Sequence, residues 1–166
     1  MAVNITINAH SGNNSKYNNA VGVYYVQNPE KTNGSTAYQF KSKLEKAMMG
    51  YCDKNEKVLK WIYEPKKPIE YIDTTAKDPK TGKQGKKRKY YIDFILTVKT
   101  WDNRLQTYYI EVKAHRETQP PSPKSRSLEH KTWAKNNAKW NAAKKFCESK
   151  GYKFKIVTER EFGKDY

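Results

Sequence analysis

Between Tyr90 and Val98 every even-numbered residue is apolar: Tyr90, Ile92, Phe94, Leu96 and Val98. Tyr108, Ile110 and Val112 continue the pattern beyond a polar turn around Asp102 and Asn103. Period-two alternation on both sides of a turn predicts a β-hairpin. Burying both even-numbered faces on one core requires paired positions to add to an even number, so the hairpin loop must hold an odd number of residues. The odd positions then share the opposite face. Asp93, Glu111 and Lys113 come together there, with Glu111 and Lys113 roughly 6.6 Å apart from two strand rises, and Asp93 opposite Glu111 or within two residues of it.

Other stretches carry the helical period. Thr36 to Gln39 reads as a capping box, opening a helix with the stripe Ala37, Phe40, Leu44, Ala47, Met48 and Tyr51. Glu45 lies at the edge of that stripe, where periodicity alone makes it a solvated flank residue. Trp61 to Ile72 reads as extended chain broken by Pro65 and Pro68. Thr118 to Ser127 holds Pro120, Pro121 and Pro123 and is a loop. A helix over about Trp133 to Lys150, with Trp140, Ala143 and Cys147 on one face, stops at Gly151. Tyr152, Phe154 and Ile156 alternate as a last strand. The order is mixed α/β, without an internal repeat. Residues 1–34, with eight Asn, read as an extended N-terminal arm in which only Val21 to Val26 is ordered, and residues 35–166 as one domain.

Composition sharpens the picture. A chain of 166 residues has room for one ordinary domain, and its 22 aromatic residues argue against global disorder. A net charge of +16 makes a polyanion, and nucleic acid first, the partner to test. The charge is densest from Lys77 to Lys89, where six Lys, one Arg and one Asp sum to +6. Gly82 and Gly85 make this segment read as a mobile basic loop, either a solvated surface or a DNA contact, with Lys86, Lys87, Arg88 and Lys89 as the candidate DNA-binding residues. No apolar run approaches a membrane span, and Met1 to His10 lacks the regions of a signal peptide, so a soluble intracellular protein is expected. Cys52 and Cys147 show no metal-ligand spacing and read as semi-buried thiols.

An Asp on one strand and Glu-x-Lys on the next is an arrangement that hydrolyses phosphodiesters with a divalent metal. Two carboxylates supply hard oxygen ligands; the metal acidifies a bound water and neutralises charge developing on the phosphate; a Lys sharing the face supplies a point cation. By spacing alone, cross-strand salt bridging on an exposed sheet is the alternative. His115 falls on the same face and reads as an exposed strand-end residue that could reach phosphate. Trp133 and Trp140 read as core residues, stacking on bases being the other option.

Five spans carry a resemblance: Phe40-Lys-Ser-Lys-Leu-Glu45, Lys86-Lys-Arg-Lys-Tyr-Tyr-Ile-Asp93, Tyr109-Ile-Glu-Val-Lys113 running into Glu117-Thr-Gln-Pro-Pro121, Lys139-Trp-Asn-Ala-Ala143, and Gly151-Tyr-Lys-Phe-Lys-Ile-Val-Thr-Glu159. Over about residues 36–160 the chain resembles the head completion nucleases of T-even-like tailed phages, a family similar to the PD-(D/E)xK endonucleases. The resemblance implies a restriction-endonuclease-like core with a mixed central sheet flanked by helices. It implies magnesium-dependent cleavage of double-stranded DNA, with manganese able to stand in, and no small-molecule cofactor. It also implies portal or neck proteins as partners and a place at the head-tail junction of the virion, after assembly in the host cytoplasm. On it, Asp93 and Glu111 are metal ligands, the Val112 carbonyl a third, Lys113 the catalytic lysine, and Glu45 a helix carboxylate reaching the metal directly or through water. The sequence departs from the family pattern at Ile92, where Pro is usual, in a longer Lys-rich segment, and over residues 1–34. A non-catalytic DNA-binding connector and a cytoplasmic repair or recombination nuclease are the alternatives that the residues leave open.

Overall fold

The computed structural model describes residues 20–162. Its centre is a four-stranded sheet in the order β3 (Val58–Tyr63), β6 (Phe94–Lys99), β7 (Leu105–Val112) and β8 (Lys153–Val157). The first three strands are antiparallel and β8 runs parallel to β7. Two ribbons flank it, β1 (Gly22–Tyr25) with β2 (Ala37–Phe40) and β4 (Ile69–Lys77) with β5 (Gln84–Tyr90). Helix α1 (Lys43–Lys54) contributes Leu44, Met48, Met49 and Cys52 to one core with Trp61, Phe94, Leu96 and Ile110. Helix α2 (Ser127–Lys150) contributes Ala143 and Cys147 to a second core with Ile69, Tyr71, Tyr90, Ile92 and Tyr109. Both faces of the sheet are therefore covered, in the manner of α/β layers.

The hairpin has the expected parity. Phe94 pairs with Ile110 and Lys99 with Leu105, leaving five residues, 100–104, in the loop. Continuing that register by one step places Asp93 opposite Glu111. The single strand expected from Tyr90 to Val98 is instead two elements. Strand β5 ends at Tyr90, residues 91–93 turn the chain out of the ribbon, and β6 begins at Phe94. Tyr90 and Ile92 accordingly pack in the α2 core while Phe94 and Leu96 pack in the α1 core. Unbroken alternation concealed a change of sheet.

Further expectations are corrected. The capping box lies six residues further on, at Ser42 to Glu45. Residues Ala37–Phe40 pair with β1, and Gly22 is needed there because a Cβ would lie 2.6 Å from the Phe40 ring. The helix is capped by Ser42, whose hydroxyl accepts from the Glu45 N–H at 3.1 Å, while Glu45 Oε2 accepts from the Lys41 N–H at 2.6 Å. The basic segment is half strand: Tyr71 pairs with Arg88 and Asp73 with Lys86, leaving residues 78–83 as the loop. Residues 20–34 are tied to the domain: strand β1 falls within the Val21 to Val26 run expected to be ordered, and the turn after it is anchored as well. Buried Asp53 accepts from Tyr24 Oη at 2.8 Å and from the Gln27 and Asn28 N–H groups at 2.7 and 2.9 Å, and Thr32 is buried. The remainder of the expected arm, residues 1–19, lies outside the described residues. Helix α2 also starts six residues before Trp133, and both cysteines are fully buried. Gly151 closes α2 as expected, at φ 71° with its N–H on the Cys147 and Glu148 carbonyls.

Candidate active site

Two carboxylates meet where the hairpin emerges from under α2. Asp93 is held by its flanks: Oδ2 accepts from the Val112 N–H at 2.7 Å, and its carbonyl accepts from the Glu64 N–H at 2.8 Å. Glu111, 8% exposed, takes a 2.7 Å hydrogen bond from the Tyr90 hydroxyl. Burial, followed by the charge of Glu111, pushes the Asp93 carboxyl well above its ordinary range. Burial raises Glu111 too, against the stabilising effects of Tyr90 and of nearby Lys113. Like charges held together away from water are the condition that a cation relieves. The donor set, carboxylate oxygen throughout, suits a hard divalent ion.

Lys113 lies two residues beyond Glu111 on the same strand direction, partly buried, with Nζ 4.0 Å from Glu117 Oε1. Glu45 is close enough for its charge to add to the upward push on Asp93, yet its Oε2 is already taken by the Lys41 N–H and by Tyr63 Oη at 3.0 Å. Among the described residues no three Asp, Glu, His or Cys side chains converge as a ready cation cage. The structure thus brings Asp93, Glu111 and Lys113 together and leaves Glu45 nearby, held by Lys41 and Tyr63. Asp93 also borders a cleft of about 460 Å³ with Glu64, Pro65, Lys66, Tyr91 and Ile92. Glu64 adopts a left-handed φ of 48° there, and its carboxylate pairs with Lys41.

The candidate DNA-binding cluster is divided by strand alternation. Arg88 reaches inward to fully buried Asp73 at 2.8 Å, with Lys135 Nζ of α2 at 3.7 Å from the same carboxylate. Lys87 pairs with exposed Glu70 at 2.7 Å. Lys86 shares Arg88's side of the ribbon and Lys89 shares that of Lys87. His115 sits in a 3-10 turn, half-buried, its N–H donating to Glu159 Oε2 at 2.7 Å.

Two residues of the site escaped the sequence reading. Tyr90 is a core residue and also the donor to Glu111. Lys139 of α2 places Nζ 5.6 Å from the centre of the Tyr90 ring. Burial lowers its pKa, as do neighbouring Lys113 and Lys135, while Glu111 pulls it back up. Its signal lay in the helix pattern. Lys139 precedes fully buried Ala143 by one turn, which marks a lysine on the sheet-facing side.

Residues 55–159 match the family described as TnsA-like endonuclease N terminal, a span that includes the strands bearing Asp93, Glu111 and Lys113. The chain belongs to this endonuclease family. It is also 34% identical over 129 residues to a protein named head completion nuclease, from Enterobacteria phage T4, covering 72% of this chain and 77% of that one. The nuclease fold is accordingly restriction-endonuclease-like, with the mixed sheet and flanking helices expected. The family match begins at residue 55, so Glu45 on α1 lies outside it, whereas Lys139 and the turn after Lys113 lie within it.

Proposed function

We propose that the protein is a head completion nuclease that hydrolyses phosphodiester bonds of double-stranded DNA with magnesium, at the stage when a filled phage head is joined to its tail. The observation that carries the reading is the Asp93–Glu111 pair, Glu111 buried and Asp93 half-buried at the cleft, with Lys113 and Lys139 beside it, in a chain of net charge +16. Asp93, Glu111 and the Val112 carbonyl would hold the ion, with Glu45 joining directly or through water. Magnesium, or manganese in its place, would acidify a water and neutralise charge on the phosphate.

The chain's own groups supply the rest. The Val112 N–H fixes the Asp93 rotamer and the Tyr90 hydroxyl fixes that of Glu111, so neither carboxylate must reorient as substrate arrives. Lys113 orients the attacking water, and Lys113 with Lys139 offsets charge on the non-bridging phosphate oxygens. The likeness to the T4 protein supports a role in head completion, at the virion's head-tail junction with portal or neck proteins as partners. No helix among the described residues is long and apolar enough to cross a membrane.

The test is incubation of purified protein with plasmid and linear DNA, with magnesium and then with EDTA. Asp93→Asn, Glu111→Gln and Lys113→Ala should each lower the rate by roughly 10³-fold, the several kcal/mol that a displaced metal or its partner cation represents. Glu45→Gln should be milder. Full activity in Glu111→Gln protein sinks the assignment.

A further inference from the structure

A second cavity lies beside the carboxylate pair, not on it. It has a volume of about 650 Å³ and lies between the turn after Lys113 and the first half of α2. Its walls include Arg116, Gln119, Pro120, Pro121, Trp133 and Asn136. These span the Glu-Thr-Gln-Pro-Pro run, which the hydrolytic chemistry leaves without a task. The cavity adjoins the catalytic face at two points. Glu117, on its rim, is the residue that Lys113 faces at 4.0 Å. On the helix side, Thr132, Asn136, Lys139 and Ala143 follow one another at helical spacing, so one stripe of α2 runs from the cavity wall past Lys139 to the sheet.

The chemistry of the walls selects an occupant. Trp133 is half-buried, and its ring is braced edge-on by buried Trp140, 5.9 Å away at 81°. A braced indole is a stacking platform that accepts any base. Gln119 and Asn136 each offer an amide with donors and an acceptor, suited to base edges in general. The two carboxylates on the rim already face cations, Glu117 with Lys113 and Glu129 with Arg126 at 3.1 Å, whereas Arg116 makes no ion pair among the described residues. The volume suits a small organic group. A base stacked in a duplex must leave its neighbours to enter such a space.

We propose that this cavity takes one unpaired nucleotide of the substrate strand, its base against Trp133 and its phosphate at Arg116, next to the phosphate held by Lys113 and Lys139. The protein therefore prefers DNA with a single-stranded end over a blunt duplex. This rests on the nuclease reading for its substrate, but its test does not require cleavage.

Full-length protein in EDTA is titrated into a labelled blunt duplex, the same duplex with a short overhang of either polarity, and an overhang of abasic sites. The overhang should tighten binding roughly 5- to 150-fold, the range that one stacked base gives, and the abasic overhang should not. Trp133→Ala should bring the ratio to near one, and Trp133→Phe should retain most of it. If Trp133→Ala fails to fold, Gln119→Ala with Arg116→Gln, both in exposed chain, should reduce the ratio instead. Equal affinity for blunt and overhanging DNA overturns the proposal, as does an overhang preference that survives in folded Trp133→Ala protein. Cleavage of blunt DNA with magnesium is scored separately. Protein that cleaves but shows no preference sinks the cavity alone, and protein with the preference but no cleavage sinks the nuclease reading alone.

Discussion

Holding Asp93 and Glu111 together under α2 costs the empty protein stability, and the sign of that cost can be checked. The folded-state pKa of Asp93 is raised, so the folded chain binds more protons than the unfolded one between the ordinary carboxylate value and the raised one. Stability falls as pH rises through that window. Asp93→Asn keeps an acceptor for the Val112 N–H and discards the charge. In EDTA at neutral pH it should melt above the wild type, by roughly 1–3 kcal/mol on the scale of a relieved buried charge, with the gap closing as pH falls towards 4. Added magnesium should raise the melting temperature of the wild type and not of the variant. Tyr90→Phe should lower kcat with little change in KM, because it frees Glu111 to reorient. The placement of Asp93 opposite Glu111, with Lys113 two residues on, was legible in strand parity alone. The roles of Tyr90 and Lys139 were not, since an aromatic in an apolar run and a lysine in a basic helix each have an ordinary explanation. Only their approach to Glu111 sets them apart.

At the scale of elements, local pattern succeeded where a single partner decides the outcome and failed where a segment had two. The β6–β7 hairpin, the Pro-rich loop and the Gly151 stop follow from period, proline geometry and a left-handed cap. Thr36–Gln39 satisfies the capping-box formula, yet β1 offers its backbone a ladder and Gly22 makes room for Phe40, so the strand wins. The basic segment likewise reads as a loop until β4 supplies the partner strand. The packing of residues 20–34 changes what a truncation tests. Burial pushes the Asp53 carboxyl up, but the Gln27 N–H, the Tyr24 hydroxyl and the Asn28 N–H outweigh it and hold the group below its ordinary value. Its contribution is present above the unfolded-state pKa and is lost as pH falls through the lower folded value. Protein beginning at Gly34 would leave that carboxylate buried without these donors and should lose about 3 kcal/mol, seen as a lower urea midpoint. Protein beginning at Ala20 retains all three donors to Asp53, which makes it the version in which to ask whether residues 1–19 matter for association with heads.

For the whole molecule, the +16 net charge pointed to a polyanion before any site was visible, but not to where the strand lies. Replacing Lys86, Lys87, Arg88 and Lys89 by Gln would flatten the slope of log affinity against log salt by about 3.6 if all four met phosphate, from roughly 0.9 per contact. With the four divided between two faces of the ribbon and Arg88 engaged by Asp73, about half that change is expected. Arg88→Gln alone should destabilise the fold by exposing Asp73 to burial without its guanidinium. The five-residue hairpin loop carries one more consequence, for the order of assembly. Asp93 and Glu111 are brought opposite each other by a contact local in sequence, whereas α2 must span the distance from β7 to β8 before it packs on their neighbours Ile92 and Tyr109. Local contacts close first because short loops cost the least chain entropy. The two carboxylates therefore meet while still hydrated, and the repulsion between them is felt only when the helix docks. Slow refolding in EDTA, accelerated by magnesium at the final docking step, is the kinetic signature to look for by stopped-flow tryptophan fluorescence.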